Sequence, residues 1–414
     1  MAIVTSITKA KAQEIENNTI SDAVLVDGYV VLRRYDGSDV DLPEDIRVPY
    51  TQSLVTLNAF DQPAPVDLVV PDWYRPGEPN VRNSDPSVMP TVNALSADWS
   101  PEGLYLSVGH DTTPFLTVYK RSGDALTKLA NPATLPSGAP LGASWSPDGL
   151  YLALAMSGTP FINIYKRSGD VLTRLSDPAA IPTATGRGVQ FSPDGVYLAV
   201  ANDGTSPIVI YKRSGDTFTK LADPAAPSVG VGRSVAWTAN GLYLAVGSSA
   251  TPWVTLYKRS GDTFTKLGNP AVLPTSIVRQ TDWSPDGKYL SVAHDGAPYM
   301  TVYKRSGDTM VKLANPTTTP TGNCYGTMWS PDGKYVAYAH ATAPFISVYK
   351  FEKEVLTKLP DSASLPANGI GRAVAFSPDG RLLAYTQDAA PAFVVYKSAM
   401  GLVPGIPSKA ILEP

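Results

Sequence analysis

The 414-residue chain has little of the chemistry on which disulfide-rich proteins and many metalloproteins depend. Its single cysteine, Cys324, excludes an internal disulfide framework and a cysteine-based zinc cage. Only 17% of the residues are charged and the formal net charge is −3, which argues against a general nucleic-acid binder. No run approaches the roughly 20 apolar residues of a membrane span. The first residues also lack the apolar core of a secretory signal.

Motifs of the common catalytic classes are missing as well. The chain contains no Gly-x-Ser-x-Gly, no His-Glu-x-x-His and no phosphate-binding glycine loop. From their absence we predict a protein that is not an enzyme, with no catalytic residues and no cofactor.

Turn residues and internal repetition are what the chain has in abundance. It contains 33 glycines and 38 prolines, a balance typical of a turn-rich β protein. An aromatic-Ser-Pro-Asp-Gly motif, or a close variant, recurs every 46 or 47 residues at seven anchors: Trp99, Trp145, Phe191, Trp237, Trp283, Trp329 and Phe376. A Tyr-Lys pair follows each anchor after 20 residues, and Tyr-Lys-Arg-Ser-Gly-Asp occurs five times unchanged. The chain is therefore built from seven copies of one unit.

Each unit reads as four short strands. Around Trp237 the predicted strands are Ser234–Trp237, Leu242–Val246, Trp253–Tyr257 and Thr263–Leu267. One small sheet cannot bury both of its faces, whereas seven sheets packed radially cover one another. The sequence predicts an all-β fold, a seven-bladed β-propeller of four-stranded blades, preceded by a small N-terminal helix plus β-hairpin module.

The spacing and the signature resemble those of WD-repeat β-propellers over roughly residues 73–397, with Tyr-Lys where Trp-Asp is usual. The seventh unit ends after Tyr396 without a fourth strand, and a degenerate half-unit precedes the first unit. We expect residues 78–84 to supply the missing strand. The alternative donor is the C-terminal tail, Gly401–Pro414, whose prolines make it a poor strand.

The N-terminal region differs from the repeats in pattern and charge. Thr8–Asn18 is predicted to be a short helix, and Ala23–Val26 and Tyr29–Arg34 a hairpin joined at Asp27-Gly28. Residues 1–86 carry 7 basic and 14 acidic residues, a net charge of −7. An acidic region thus precedes a mildly basic ring.

The strings ITKAKAQEIENN (7–18) and AVLVDGYVVLRRYDG (23–37) resemble the leading module of bacteriophage minor tail proteins and tail fibres. This resemblance implies a virion component that docks on the particle through its N-terminus. The expected organisation is a virion-docking module at 1–60, a linker and ring-closing strand at 61–86, the propeller at 87–397 and a C-terminal tail at 398–414.

Two sets of charged residues recur on the loops that should share one face of the ring. Arginines stand four residues before an anchor, and aspartates directly follow the second strand: Arg187, Arg233, Arg279 and Arg372, with Asp111, Asp203, Asp295 and Asp388. One interpretation is ion pairs between blades, and the other is a ligand-binding ring around the channel mouth. The loops joining successive units vary while the frame residues repeat, which favours binding at this face.

Two further residue sets allow a structural interpretation. Three histidines share one repeat position and could form a metal or proton-transfer site, but their blades are not all adjacent: His110, His294 and His340. We expect polar strand ends that bond to the neighbouring blade, and no metal. The Lys-Arg pairs after the tyrosine anchors, each with an aspartate three residues on, predict a solvated rim on the opposite face.

The resulting functional hypothesis is a bacteriophage virion structural protein, a minor tail protein or tail fibre that displays a propeller for host attachment. Its expected partners are other virion proteins, through residues 1–60, and a host cell-surface glycan or envelope component. A homo-oligomer in the particle is left open, and no nucleic-acid partner is expected. The alternatives are a head-attached phage fibre or decoration protein, and an intracellular WD-repeat-type scaffold for protein partners.

Overall fold

The computed structural model describes residues 81–397, apart from 91–92, 363 and 367–368, together with four short strands farther upstream. The chain divides into two compact units, Met1–Arg75 and Pro76–Pro414. In the described residues no helix has the length and apolar character needed to cross a membrane.

The first unit contains two strand pairs. β1 (Ile20–Val26) pairs antiparallel with β2 (Tyr29–Arg34), and β3 (Thr56–Leu57) pairs antiparallel with β4 (Val66–Asp67). The predicted helix Thr8–Asn18 and the Asp27-Gly28 turn lie outside the described residues, as does the tail from residue 398 onward.

The second unit contains seven four-stranded antiparallel sheets, which confirms the predicted all-β propeller of seven blades. The first strands, in blade order, are β6 (Ala94–Trp99), β10 (Pro140–Trp145), β14 (Gly186–Phe191), β18 (Gly232–Trp237), β22 (Val278–Trp283), β26 (Cys324–Trp329) and β30 (Gly371–Phe376). The second strands are β7 (Tyr105–His110), β11 (Tyr151–Met156), β15 (Tyr197–Asn202), β19 (Tyr243–Ser248), β23 (Tyr289–His294), β27 (Tyr335–His340) and β31 (Leu382–Gln387).

The outer strands complete each blade. The third strands are β8 (Leu116–Ser122), β12 (Ile162–Ser168), β16 (Ile208–Ser214), β20 (Val254–Ser260), β24 (Met300–Ser306), β28 (Ile346–Glu352) and β32 (Phe393–Lys397). The fourth strands are β9 (Ala125–Lys128), β13 (Val171–Arg174), β17 (Thr217–Lys220), β21 (Thr263–Lys266), β25 (Thr309–Lys312), β29 (Val355–Lys358) and, in blade seven, β5 (Val81–Arg82).

The ring closes through strand pairing between its two ends. β5 pairs antiparallel with β32, and the backbone N–H of Asn83 donates to the carbonyl oxygen of Val395 at 2.7 Å. β5 lies within residues 78–84, the segment that we expect from the sequence to supply the missing fourth strand of the seventh unit. Each first strand contacts the first strand of the next blade, and β30 contacts β6. The first strands therefore encircle the central channel.

The repeat anchors pack between adjacent blades. Trp237 is 5% exposed, and its ring lies 6.3 Å from that of Tyr197 in the preceding blade and 5.7 Å from that of Phe264. Its backbone N–H donates to Oε1 of Gln190, also in the preceding blade, at 2.6 Å. Aromatic packing and a hydrogen bond from the same residue thus join blade three to blade four.

The face that carries the Ser-Pro-Asp-Gly and Arg-Ser-Gly-Asp turns, here called the turn face, holds a second set of links between blades. The Tyr105 hydroxyl donates to Oδ1 of Asp170 at 2.5 Å, and Lys120 Nζ lies 2.9 Å from Oδ2 of the same aspartate. Arg167 lies in the same blade as Asp170 and contacts the first blade. Its Cζ atom lies 4.7 Å from the centre of the Tyr105 ring, and its Nη2 atom lies 3.0 Å from Oε1 of Glu102. The lysines of the Lys-Arg pairs are therefore partly exposed at the rim, as predicted, and also form ion pairs to the next blade.

Candidate functional site: the channel mouth

The first strand of every blade contains a β-bulge at its second residue. In blade four Gly232 pairs with Ser248 and Ser234 with Gly247, which leaves Arg233 as the extra residue. The six other blades show the same irregularity, so one equivalent residue in each of the seven blades has no partner in the pairing of the first and second strands. We call them the bulge ring: Leu95, Leu141, Arg187, Arg233, Arg279, Tyr325 and Arg372.

The bulge ring lines a single cavity of about 120 Å³ in the channel. It lies near the end of the channel where each first strand begins and each second strand ends, as the pairing of Gly232 with Ser248 shows. The loops that vary between units emerge at this end, here called the loop face. All four arginines predicted as ligand-binding residues line this cavity.

Three of these arginines form bidentate ion pairs. Nε of Arg187 lies 3.0 Å from both carboxylate oxygens of Asp203, and its Nη2 lies 2.5 Å from Oδ2. The Arg279–Asp295 pair has the same geometry, with Nε–O distances of 2.9 and 3.0 Å. Nε and Nη2 of Arg372 both bind Asp388.

The expectation of ion pairs between blades is wrong for these residues. Each pair joins the first strand to the end of the second strand of the same blade, 16 residues farther on. The physical reason is that the bulged arginine lies at the open end of its own hairpin, directly beside the residue that follows the second strand.

Unlike the other three arginines, Arg233 forms no ion pair with a carboxylate in the described part of the chain. Ser249 occupies the position held by aspartate in the three paired blades, and its Oγ accepts the backbone N–H of Val231 at 3.0 Å. Nε of Arg233 is buried and has no hydrogen-bond partner among the residues that the structure describes. Burial, together with the neighbouring guanidiniums of Arg187 and Arg279, lowers the pKa of Arg233. The ring therefore contains one cation that the described part of the chain does not neutralise.

The other three ring residues are uncharged and were not predicted from the sequence. The Tyr325 ring lies 5.4 Å from the Cζ atom of Arg279 and 5.0 Å from that of Arg372, so it holds both guanidiniums by cation–π contacts. Leu95 and Leu141 form an apolar arc in blades one and two. The arginines recur at intervals of 46 residues, and continuing this spacing to the remaining blades would have identified all three residues.

Asp111 does not join the arginines. Its Oδ2 accepts a hydrogen bond from Nδ2 of Asn93 at 2.8 Å, and the bulge-ring residue of its blade is Leu95. Six of the eight predicted site residues therefore form three ion pairs, and Asp111 binds Asn93. Nε of Arg233 has no hydrogen-bond partner among the described residues.

The three histidines are buried and bond within their own blades, so the expected bond to the neighbouring blade is wrong. Their Nε2 atoms lie 3.0–3.1 Å from hydroxyl oxygens on the third strand: Thr117, Thr301 and Ser347. A second strand pairs with the third strand of its own sheet, which brings these side chains together. Burial lowers the pKa of His294 and of His340 to about 4, so both are neutral near pH 7. The described residues include no group of three or more potential metal ligands.

Comparisons with known proteins show the fold alone. No protein-family model matches the chain, and no curated protein matches it. Hydrazine synthase from Kuenenia stuttgartiensis is similar in structure, with a TM-score of 0.60 and 16% identity over 77% of this chain and 99% of that one. The Cps50 (Swd1) β-propeller domain from Myceliophteria thermophila has a TM-score of 0.56 and 14% identity over 74% of this chain and 97% of that one. The chain is thus a seven-bladed propeller with a WD-repeat-like architecture.

Proposed function

We propose that this protein is a bacteriophage virion component, a minor tail protein or tail fibre, that attaches to the host surface through the loop face of its propeller. The observation that carries the binding half is the bulge ring. One repeat position varies among leucine, arginine and tyrosine in blades whose frame residues are nearly identical, and all seven side chains line one cavity. A varied position on a repeated frame is typical of a recognition site on a rigid scaffold.

The chemistry of the ring favours binding over catalysis. Three guanidiniums are fixed by bidentate carboxylates, and two of these also contact the Tyr325 ring. Each of those carboxylates is already hydrogen-bonded to an arginine, which leaves it poorly suited to act as a general base. Fixed cations and an apolar arc can orient a ligand without reacting with it.

The virion half of the proposal is supported by the resemblance of residues 7–37 to the leading module of phage tail proteins. We propose that residues 1–60 dock on other virion proteins and that the propeller faces outward, which places the protein at the particle surface. A head-attached fibre or decoration protein would use the same arrangement. An intracellular scaffold is a second candidate, favoured by the WD-repeat-like architecture, because such a ring can also bind protein partners.

The test is the location of the full chain and of a variant lacking residues 1–60. Purified particles are analysed by mass spectrometry and labelled electron microscopy, with the unassembled host lysate as the matched fraction. We expect the full chain in particles and the truncated chain in the lysate alone, with its propeller still folded. A truncated chain found in particles would contradict docking through residues 1–60, and a full chain confined to the lysate would favour the intracellular scaffold.

A further inference from the structure

We infer that the bulge ring binds one carboxylate group, with the guanidinium of Arg233 as its principal ligand, and that the natural ligand is an acidic sugar residue. The sugar part of this inference rests on the proposed attachment to a host-surface glycan. The carboxylate part rests on the ring itself.

The pattern within the ring is the first argument. Wherever else an arginine occupies the bulge position, an aspartate stands 16 residues later and binds it: Asp203, Asp295 and Asp388. Only blade four combines an arginine at the bulge with a residue other than aspartate, Ser249. The protein thus builds the same carboxylate-binding arrangement four times and leaves one without its carboxylate.

Burial of an unpaired group is the second argument. A polar group without a hydrogen-bond partner in a desolvated position destabilises the folded protein, and a charged group does so more strongly. Nε of Arg233 is such a group among the described residues. A guanidinium presents planar N–H donors in the geometry that a carboxylate accepts, so a bound carboxylate satisfies the donors that Ser249 does not reach.

Charge and polarity around the cavity restrict the class of ligand. The aspartates compensate three of the four guanidiniums, which leaves a single positive charge for the ligand to neutralise. One carboxylate matches that charge, whereas a phosphate dianion exceeds it. Leu95, Leu141 and the Tyr325 ring line the same cavity and offer apolar surface to the rest of a small ligand.

The test is calorimetric titration of the purified full chain with D-glucuronate, with D-glucose as the matched sugar that lacks the carboxylate. Arg233→Gln removes the proposed ligand, and Arg174→Gln removes one cation at a distance from the ring as its control. Ser249→Asp supplies blade four with the aspartate of its neighbours, and Ser157→Asp places the same residue in blade two, where the bulge residue is Leu141. Thermal unfolding verifies the fold of each variant.

We expect glucuronate to bind and glucose not to bind. Loss of one charge-assisted hydrogen-bonding partner should weaken glucuronate binding by about 10-fold or more in R233Q and S249D. R174Q and S157D should remain within about 3-fold of the parent protein because neither changes a group that contacts the ligand. Equal binding in R233Q and the parent protein would overturn the inference. Absence of glucuronate binding, or stronger binding of inorganic phosphate or of N-acetylalanine, would overturn the ligand class.

The measurement is independent of the proposed location in the virion. A chain that binds glucuronate through Arg233 but is absent from particles would contradict the proposed function and leave the carboxylate site established. A chain present in particles that fails to bind glucuronate would overturn only the present inference.

Discussion

At the turn face, residues at equivalent repeat positions make the same contact in successive blades, whereas in the bulge ring the equivalent residues differ from blade to blade. At the turn face a tyrosine donates to an acidic residue 65 positions later, in the next blade, at five successive junctions: Tyr105–Asp170, Tyr151–Asp216, Tyr197–Asp262, Tyr243–Asp308 and Tyr289–Glu354. In the bulge ring the equivalent residues are leucine, arginine or tyrosine. Contacts that assemble the ring repeat at these five junctions because the junctions share one geometry, whereas residues that face the channel are free to differ.

The difference also appears in how the polar groups are satisfied. On the turn face each tyrosine hydroxyl of this series and its lysine neighbour bind the same carboxylate of the next blade, so the protein completes these contacts itself. In the bulge ring the guanidinium of Arg233 has no such partner among the described residues. Several other buried polar atoms, such as Nη1 of Arg213, also lack a partner among the described residues, but Nε of Arg233 is the one that belongs to a guanidinium lining the channel cavity.

Removing an anchor should have the largest effect, because it breaks the repeated contacts between blades. Trp237→Ala deletes a ring that packs on Tyr197 and Phe264, and it leaves a cavity between blades three and four. We expect the free energy of unfolding to fall by about 3–5 kcal/mol, measured by urea denaturation.

R233Q is the comparison variant from the bulge ring. Its stability should change by less than about 1 kcal/mol, since among the described residues Nε of Arg233 has no hydrogen-bond partner to lose. A loss below about 1 kcal/mol in W237A would show that the anchor does not hold the two blades together.

The partly buried carboxyl groups one residue before two anchors should give a smaller, pH-dependent effect. Oδ2 of Asp282 accepts the backbone N–H of Trp329 at 2.7 Å, and Oδ2 of Asp98 accepts that of Trp145 at 2.8 Å. Burial raises the pKa of each carboxyl to about 7, despite the backbone hydrogen bonds. The folded state therefore holds a proton more tightly than the unfolded state, and stability falls as the pH rises from the unfolded pKa towards and through 7.

Asp282→Asn keeps an oxygen acceptor and removes the charge. We expect it to raise the free energy of unfolding by about 1–3 kcal/mol at pH 8 and to have little effect near pH 4, measured by thermal melts across that range. Gln190 makes the equivalent contact to Trp237 with a neutral amide, so Gln190→Glu is the reciprocal control and should destabilise at pH 8. A D282N variant whose stability relative to the parent does not change with pH would contradict a titrating Asp282.

Much of the fold could be predicted from the repeat. The spacing of the anchors fixes seven blades, and strand boundaries in blade four differ from prediction by a few residues, as with β19 at Tyr243–Ser248 against the predicted Leu242–Val246. The bulge could not be predicted, because it is a property of backbone register, and the residue before it differs from blade to blade. The arginine–aspartate spacing places both residues on one face but does not decide whether they meet within a blade or between blades. That Ser249 leaves Arg233 without the aspartate found in the other arginine blades could therefore be recognised only from the observed arginine–aspartate pairs.

Making blade four resemble its neighbours should produce the smallest change, in the stabilising direction. Ser249→Asp gives Arg233 the partner that Arg187, Arg279 and Arg372 have, at the cost of the hydrogen bond from Val231 to Ser249. Because these pairs are partly exposed, we expect a gain of about 0.5–1 kcal/mol in the free energy of unfolding. The double variant R233Q/S249D completes a mutant cycle, in which the coupling energy should account for the whole gain. S157D, which has Leu141 beside it, should show no gain. If S249D were no more stable than S157D, Arg233 would not be available for a carboxylate, and the bulge ring would be as fully satisfied as the turn face.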